Sequence, residues 1–419
     1  MKIKKMFEGY RGLPSSIYIL FIAIIINRAG NFVLPFSAML FTKNLGFSED
    51  KAGLFVMLIS GAAIPGILIG GVLVDRLGRK KVMVTFQFLA ALCLIPCAFL
   101  ENSMLIPYLL ILSTFFLETA QPAYSALVTD LTSPENRKEA FSLLYLGINI
   151  GFSIGPMAAG FLFNNHMKWF FIGDAFTSLV AITLAAFFVK DTFVIAKKPK
   201  VDVQTCGNHK TASDNMVGML LKSPFVLSFM LVYILYAFVY VQHTFSMPLF
   251  INEIFKENGP TVFGTVMTIN AVVVVALSTI VTSVTRNNKP ILNVTIAGLF
   301  YSVGFGMVYF VNSYFMLILS TVVWTLGEIL ASVNSNVYIA DHSPETHRGR
   351  FNSFKFFALR AGFSSGPFVM GLFIKYNGTK MVWPVMFILA AGAAMLMYVI
   401  YTLEKRSSAQ KESIYEQAV

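Results

Sequence analysis

The sequence predicts an all-α integral membrane protein, with twelve transmembrane helices in two pseudo-symmetric bundles of six. Three observations carry that expectation. Hydrophobic residues make up 56% of the 419 positions and charged residues 13%, the reverse of a soluble globular balance. Apolar runs of about 20 residues recur along the chain, each long enough to cross a hydrocarbon core near 30 Å thick. Short motifs of the first half return in the second at one displacement of roughly 210 residues, and such internal repeats are typical of transporter bundles.

The runs lie near residues 16–42, 51–74, 82–100, 105–129, 140–164, 169–189, 225–250, 260–284, 290–311, 314–339, 351–374 and 382–402. Backbone groups in lipid must be satisfied within their own segment, so each run reads as a helix. Span one is too long for a signal peptide and lacks a small-residue cleavage site, so it reads as an anchor; it holds Arg28 in Asn27-Arg28-Ala29-Gly30-Asn31. Span two runs into Gly70-Gly71-Val72-Leu73-Val74-Asp75-Arg76-Leu77-Gly78-Arg79-Lys80-Lys81. Span three carries Cys93 and Cys97 one turn apart; with Cys206 in the central loop they form neither a disulfide framework nor a metal spacing, and read as small packing residues. Span four holds Glu118 beside Gln121 and Pro122, and span six holds Asp174 after Trp169. In span five, Gly147, Gly151 and Gly155 fall on one face ahead of Pro156 and Gly160, which permits close helix contact and a bend.

Residues 190–222 are polar and basic, and divide the chain into an N-terminal six-helix bundle (1–189), a cytoplasmic central loop and a C-terminal bundle (223–419) with a short tail. In the second half, span seven carries Tyr233, Tyr236, Tyr240, Gln242 and His243; span eight carries Asn270; span ten carries Glu328, Asn334 and Asn336; span eleven carries Lys355 and Arg360. The halves echo each other. Asp130-Leu131-Thr132-Ser133-Pro134-Glu135-Asn136-Arg137 returns as Asp341-His342-Ser343-Pro344-Glu345-Thr346-His347-Arg348, and Gly151-Phe152-Ser153-Ile154-Gly155-Pro156 as Gly362-Phe363-Ser364-Ser365-Gly366-Pro367. Weaker echoes pair Leu34-Pro35-Phe36 with Met247-Pro248-Leu249 and Trp169 with Trp383.

The net charge of +11 does not point to nucleic acid, because its distribution follows the spans. Cations gather before span one, after span two and in the central loop. The opposite side holds only Lys43, Lys51, Lys168, Lys256, Lys375 and Lys380. That asymmetry places both termini in the cytoplasm, and the short tails suit a multi-pass protein of a bacterial inner membrane. The lipid bilayer is therefore an expected partner.

Ionisable groups inside the spans cost about 2.5–3.5 kcal/mol each on insertion scales, so each is a functional candidate. Arg28 binds an anionic group, holds a carboxylate ionised until protons displace it, or forms a structural ion pair with Asp174 or Glu118. Glu118 and Glu328 occupy equivalent places, twelve and thirteen residues before Asp130 and Asp341, about 18 Å of helix from the cytoplasmic end. They suit proton exchange or attraction of a cationic substrate; an interhelical hydrogen bond is the structural alternative. Asp174 suits a proton site reached from outside or a cap for neighbouring helices. His243 suits proton coupling or polar packing among aromatics. Arg360 suits a pair with Glu328 or a structural role, and Lys355 snorkels to the cytoplasm. The span-seven tyrosines, Phe32, Phe36 and Trp324 are candidates to line an amphipathic cavity.

Two motifs carry a family resemblance. The loop formed by Gly71, Asp75, Arg76, Gly78, Arg79 and Lys80 resembles the signature loop between spans two and three of the major facilitator superfamily. Gly151, Gly155, Pro156 and Gly160 look like the antiporter motif of its drug exporters, with Ser142 and Ala159 where glycines are usual. The resemblance covers nearly the whole chain and is strongest to twelve-span bacterial drug:proton antiporters. It implies alternating access, a small-molecule substrate and protons as coupling ion, with Asp75–Lys81 as a gating loop. The Arg-rich span-four motif of many such antiporters is replaced by Phe116-Leu117-Glu118-Thr119-Ala120-Gln121-Pro122, which moves weight onto Glu118 and Arg28. The expected function is proton-coupled efflux of lipophilic or cationic compounds, with import of a polar metabolite as the alternative. No cofactor or metal is expected. The Gly-x-Ser-x-Gly copies lie within apolar helices rather than strand-turn-helix elbows, and no phosphate-binding loop occurs, so neither hydrolase chemistry nor ATP use is expected.

Overall fold

The computed structural model describes residues 10–133, 135–191, 223–343 and 348–418; the early lysines, Cys206 and most of the central loop lie outside them. Among the described residues twelve helices succeed one another: α1 Ser15–Ala29, α2 Glu49–Leu77, α3 Arg79–Cys97, α4 Leu105–Leu131, α5 Arg137–Asn165, α6 Met167–Phe188, α7 Pro224–Tyr240, α8 Gly259–Thr285, α9 Pro290–Met307, α10 Tyr314–His342, α11 Arg348–Asn377 and α12 Val382–Ala418, with short helical pieces after α1, α7 and α9 and no strand. Ten stretches are long and apolar enough to cross a membrane. One of them, Pro224–Thr285, contains both α7 and α8, and the shorter apolar α1 begins the remaining span. The twelve-helix, all-α architecture is thus present. Leu68, Phe161, Phe187, Phe315 and Met395 turn their side chains outward, as faces solvated by lipid do.

Two spans that read as continuous in sequence are broken in the structure. The run 16–42 stops at Ala29, passes through a turn over residues 30–36 and resumes at Ser37 as a short helix that widens into a π turn over Leu40–Asn44. Pro35 lacks an N–H and cannot continue a helical ladder. The backbone donors freed by the break find an acceptor elsewhere: Asp174 on α6 accepts hydrogen bonds from Phe32 N and Val33 N at 3.0 and 3.1 Å. The run 225–250 breaks at the equivalent place. α7 gives way to a 3₁₀ turn over Val241–His243 before a helix over Ser246–Phe255. Hydropathy alone cannot register these breaks, since the broken segments stay apolar.

The described chain forms two compact units, Met1–Thr205 with Thr244–Val275, and Cys206–His243 with Ala276–Val419; the division passes through α8. In unit 1, α1 packs on α5 and α6, and α3 on α4 and α6. In unit 2 the same scheme recurs, with α7 on α11 and α12, and α9 on α10 and α12. Unit 1 has an aromatic core in which Phe36 meets Phe163, Phe170 and Phe263 at ring-centre distances of 5.6, 5.9 and 4.9 Å. In unit 2, Phe305 stacks on Trp324 and on Trp383, near-parallel at 5.7 and 6.3 Å. The weakest sequence echo does not extend to environment, because Trp383 is buried and Trp169 is exposed.

Candidate functional site

Glycine determines how closely the helices of unit 1 approach. A Cβ on Gly66 would lie 2.7 Å from Phe115 O, and one on Gly70 would lie 2.2 Å from Thr119 O, so α2 and α4 meet backbone to backbone. Gly71, the glycine singled out in sequence, faces open space. Gly78 has φ +92° and joins α2 to α3 in a turn that ordinary residues rarely adopt. Arg79 Nε then lies 3.0 Å from Asp130 Oδ2 at the end of α4, and Lys80 Nζ donates to Val189 O at 2.7 Å. The Asp75–Lys81 segment is thereby tied to the ends of α4 and α6, with Asp75 and Arg76 exposed. Asp130 and Arg79 were each visible in sequence as parts of motifs, but their pairing was not.

The span-five glycines hold α1. A Cβ on Gly151 would meet Arg28 Cβ at 2.5 Å, and one on Gly155 would meet Arg28 O at 2.8 Å. Pro156 and Gly160 face the start of α8. A Cβ on Gly160 would fall 2.4 Å from Pro260 O, and one on Gly264 would fall 2.2 Å from Pro156 O, a reciprocal contact within unit 1. In unit 2, Gly362 and Gly366 of α11 pack in the same way on Ala237 and Val241.

Arg28 points into the interior of unit 1, 5.7 Å from the centre of the Phe152 ring. The structure brings Arg28 and Asp174 to one cavity, whereas Glu118 lines neither of the two cavities around Arg28 and its Cβ lies against Gly66 of α2. Two cavities, of about 40 and 80 Å³, share Asn27, Arg28, Gln87 and Leu117. One extends to Asp174 and Ser178, the other to Gln121 and Tyr124. Sequence reasoning passed over Gln87 and Tyr124; a glutamine inside the apolar third run was the available signal.

Glu328 belongs to a different site. It lines a cavity of about 200 Å³ in unit 2 with Tyr233, Tyr236, Tyr240, Tyr301, Ser332 and Phe363. Tyr236 Oη donates to Val294 O at 3.0 Å, and Ser335 Oγ donates to Tyr233 Oη at 3.3 Å, so the rings are fixed in place. Tyr301 and Phe363, from α9 and α11, complete a lining of which sequence showed only the α7 tyrosines and Glu328. Phe32, Phe36 and Trp324 are instead core residues. Lys355 Nζ donates to the exposed Asn336 Oδ1 at 2.5 Å and lies 5.6 Å from the centre of the Tyr233 ring. Arg360 stacks on Phe356 at 5.1 Å, while its neighbour Leu359 faces the cavity. His243 is buried, its Nδ1 2.5 Å from Tyr240 O and its ring 4.3 Å from that of Tyr240, outside the cavity lining.

A family model described as Major Facilitator Superfamily matches residues 20–301 and 260–417. YqjV of Bacillus subtilis, an uncharacterized MFS-type transporter, is 25% identical over 350 residues, 82% of this chain and 82% of its own. A Na(+), Li(+), K(+)/H(+) antiporter of Planococcus maritimus is 21% identical over 340 residues, 76% of this chain and 80% of its own. Among solved structures, the nucleoside transporter NupG matches with a TM-score of 0.74 at 14% identity, covering 92% of this chain and 100% of its own, a likeness of fold alone.

Proposed function

This chain belongs to the Major Facilitator Superfamily and is a membrane transporter, and from that premise we propose that it exports lipophilic or cationic small molecules in exchange for protons, by alternating access. The observation that carries this reading is the unit 2 cavity, where the carboxyl of Glu328 sits among four tyrosines and Phe363. Aromatic faces attract cations, most strongly when both are desolvated, and a carboxylate in the same space adds charge attraction. The volume of about 200 Å³ suits one aromatic or cationic group of a substrate rather than a whole drug-sized molecule. Proton coupling is supported by the carboxyls of Glu118, Asp174 and Glu328 within the spans, and by the Planococcus relative, an antiporter that by its name exchanges alkali cations for protons. The cation asymmetry favours a cytoplasmic position for the Asp75–Lys81 end, and the tie from Arg79 to Asp130 supports a gating role for that loop. Fluorescence titration of the purified protein with ethidium tests the binding site. Wild type is expected to bind, and Glu328→Gln to bind at least about tenfold more weakly, a loss of about 1.4 kcal/mol. Equal affinity in the two proteins would exclude Glu328 and its cavity from substrate binding.

A further inference from the structure

Where α9 ends and α12 begins, unit 2 carries a groove of about 440 Å³. Val303, Met307 and Phe310 wall it on the α9 side, and Pro384 and Phe387 on the α12 side. Val303, Phe310 and Phe387 are 50%, 66% and 45% exposed, so the groove opens sideways, as lipid-facing surface does. Its base is closed. Ser302 Oγ donates to Phe387 O at 2.9 Å, and a Cβ on Gly306 would come within 2.8 Å of the Phe387 ring. Phe305 and Trp383, next in sequence to Gly306 and Pro384, turn the other way and stack, buried, at 6.3 Å.

Val303 to Phe310 covers roughly 10 Å along the helix axis, starting from the membrane end of the span and staying within one leaflet of about 15 Å of hydrocarbon. Apolar walls running in that direction suit a hydrocarbon chain lying parallel to the helices. The mouth is cationic. Lys380 Nζ stands 4.8 Å from the centre of the Tyr309 ring, and Tyr309 lines the groove. In residues 290–327 and 361–403, the stretches that build this end, the only charged side chains are Lys375 and Lys380. These stretches offer the ammonium no carboxylate, and cations at headgroup level attract anionic lipid.

We infer that this groove holds one acyl chain of an anionic phospholipid, whose headgroup phosphate rests on Lys380 at the mouth. The chain fills the seam between α9 and α12 and becomes part of their packing. The inference needs only the position of unit 2 in a bilayer, and it does not depend on the export reading or on the Glu328 cavity.

Photochemical capture tests this directly. The full-length protein, with p-benzoylphenylalanine in place of Phe310, is reconstituted in vesicles of equal phosphatidylglycerol and phosphatidylcholine with the same acyl chains. Light couples the probe to its neighbour, and mass spectrometry of the coupled peptide identifies the lipid. Capture of phosphatidylglycerol is expected to exceed that of phosphatidylcholine about fivefold, the attraction one lysine adds at a membrane surface. Lys380→Gln is expected to return the ratio to that of the vesicles. The same probe in place of Phe315, exposed at the same end but outside the groove, is expected to follow the vesicle ratio. Val303→Trp adds bulk at an exposed position and is expected to lower total capture severalfold without lowering the unfolding midpoint. Equal capture of the two lipids at Phe310, a preference that survives Lys380→Gln, the same preference at Phe315, or capture unchanged by Val303→Trp would overturn the site. Displacement of the captured lipid by ethidium would also overturn it, by giving the groove to the exported compound.

Discussion

Gly151 lies against Arg28 so closely that a Cβ on the glycine would come within 2.5 Å of the arginine Cβ and 2.8 Å of Ile25 O. The stripe that resembles an antiporter motif therefore has a definite local role, which is to seat the turn of α1 that carries Arg28 against α5. Overpacking such a contact costs about 1–3 kcal/mol. Gly151→Ala is expected to lose that much stability in reversible unfolding of the purified protein. Gly71→Ala, which meets open space, is expected to stay within about 0.5 kcal/mol of wild type. Equal effects at the two positions would contradict this packing.

Asp174 carries the break after α1, since its Oδ2 accepts from both Phe32 N and Val33 N. Asp174→Ala leaves two buried donors unsatisfied, at a cost of about 2–4 kcal/mol. Asp174→Asn keeps an acceptor in place and is expected to lose less than half as much. Unfolding of both variants in detergent decides it, and identical losses would show that the break is held by something else.

The loop between α2 and α3 should separate stability from turnover. Asp75 is exposed, so Asp75→Asn is expected to leave stability within about 0.5 kcal/mol of wild type while slowing transport. Arg79 and Asp130 are partly exposed at 3.0 Å, a pair worth up to about 1 kcal/mol. Charge reversal at both positions together should recover transport that either single reversal loses. Parallel losses of protein amount and transport in Asp75→Asn would refute a gating role.

Ser332 offers a test of the cavity that leaves Glu328 intact. It lines the space of about 200 Å³, and a tryptophan there would occupy most of it. Ser332→Trp is expected to weaken ethidium binding at least about tenfold without lowering the unfolding midpoint. Unchanged binding would place the ligand elsewhere.

Much of this architecture was legible because membrane insertion writes itself into composition: spans, repeats and the signature turn at Gly78 all follow from hydropathy and glycine. The breaks after Ala29 and Tyr240 were not, although Pro35 and Pro248 marked the equivalent places. A hydropathy window averages over an apolar break, and the acceptor that makes the first one tolerable, Asp174, lies on another helix. The same limit applies to the sites. Arg28, Glu118, Asp174 and Glu328 announce themselves as charges in apolar runs, whereas Tyr301 and Phe363 join Glu328 only through tertiary packing and look in sequence like any other membrane aromatic. Gly66 and Gly70 rather than Gly71 make the close approach to α4, because which glycine of a run faces a neighbour depends on helix rotation.

Proton-driven export through the Glu328 cavity stands or falls on uptake of ethidium into inside-out vesicles with an acidic interior, comparing wild type with Glu328→Gln. Wild type is expected to accumulate the dye and to stop when the gradient is dissipated, and Glu328→Gln to take up little under the same gradient. Wild-type uptake that ignores the gradient, or none at all, would contradict proton-driven export and favour import of a polar metabolite.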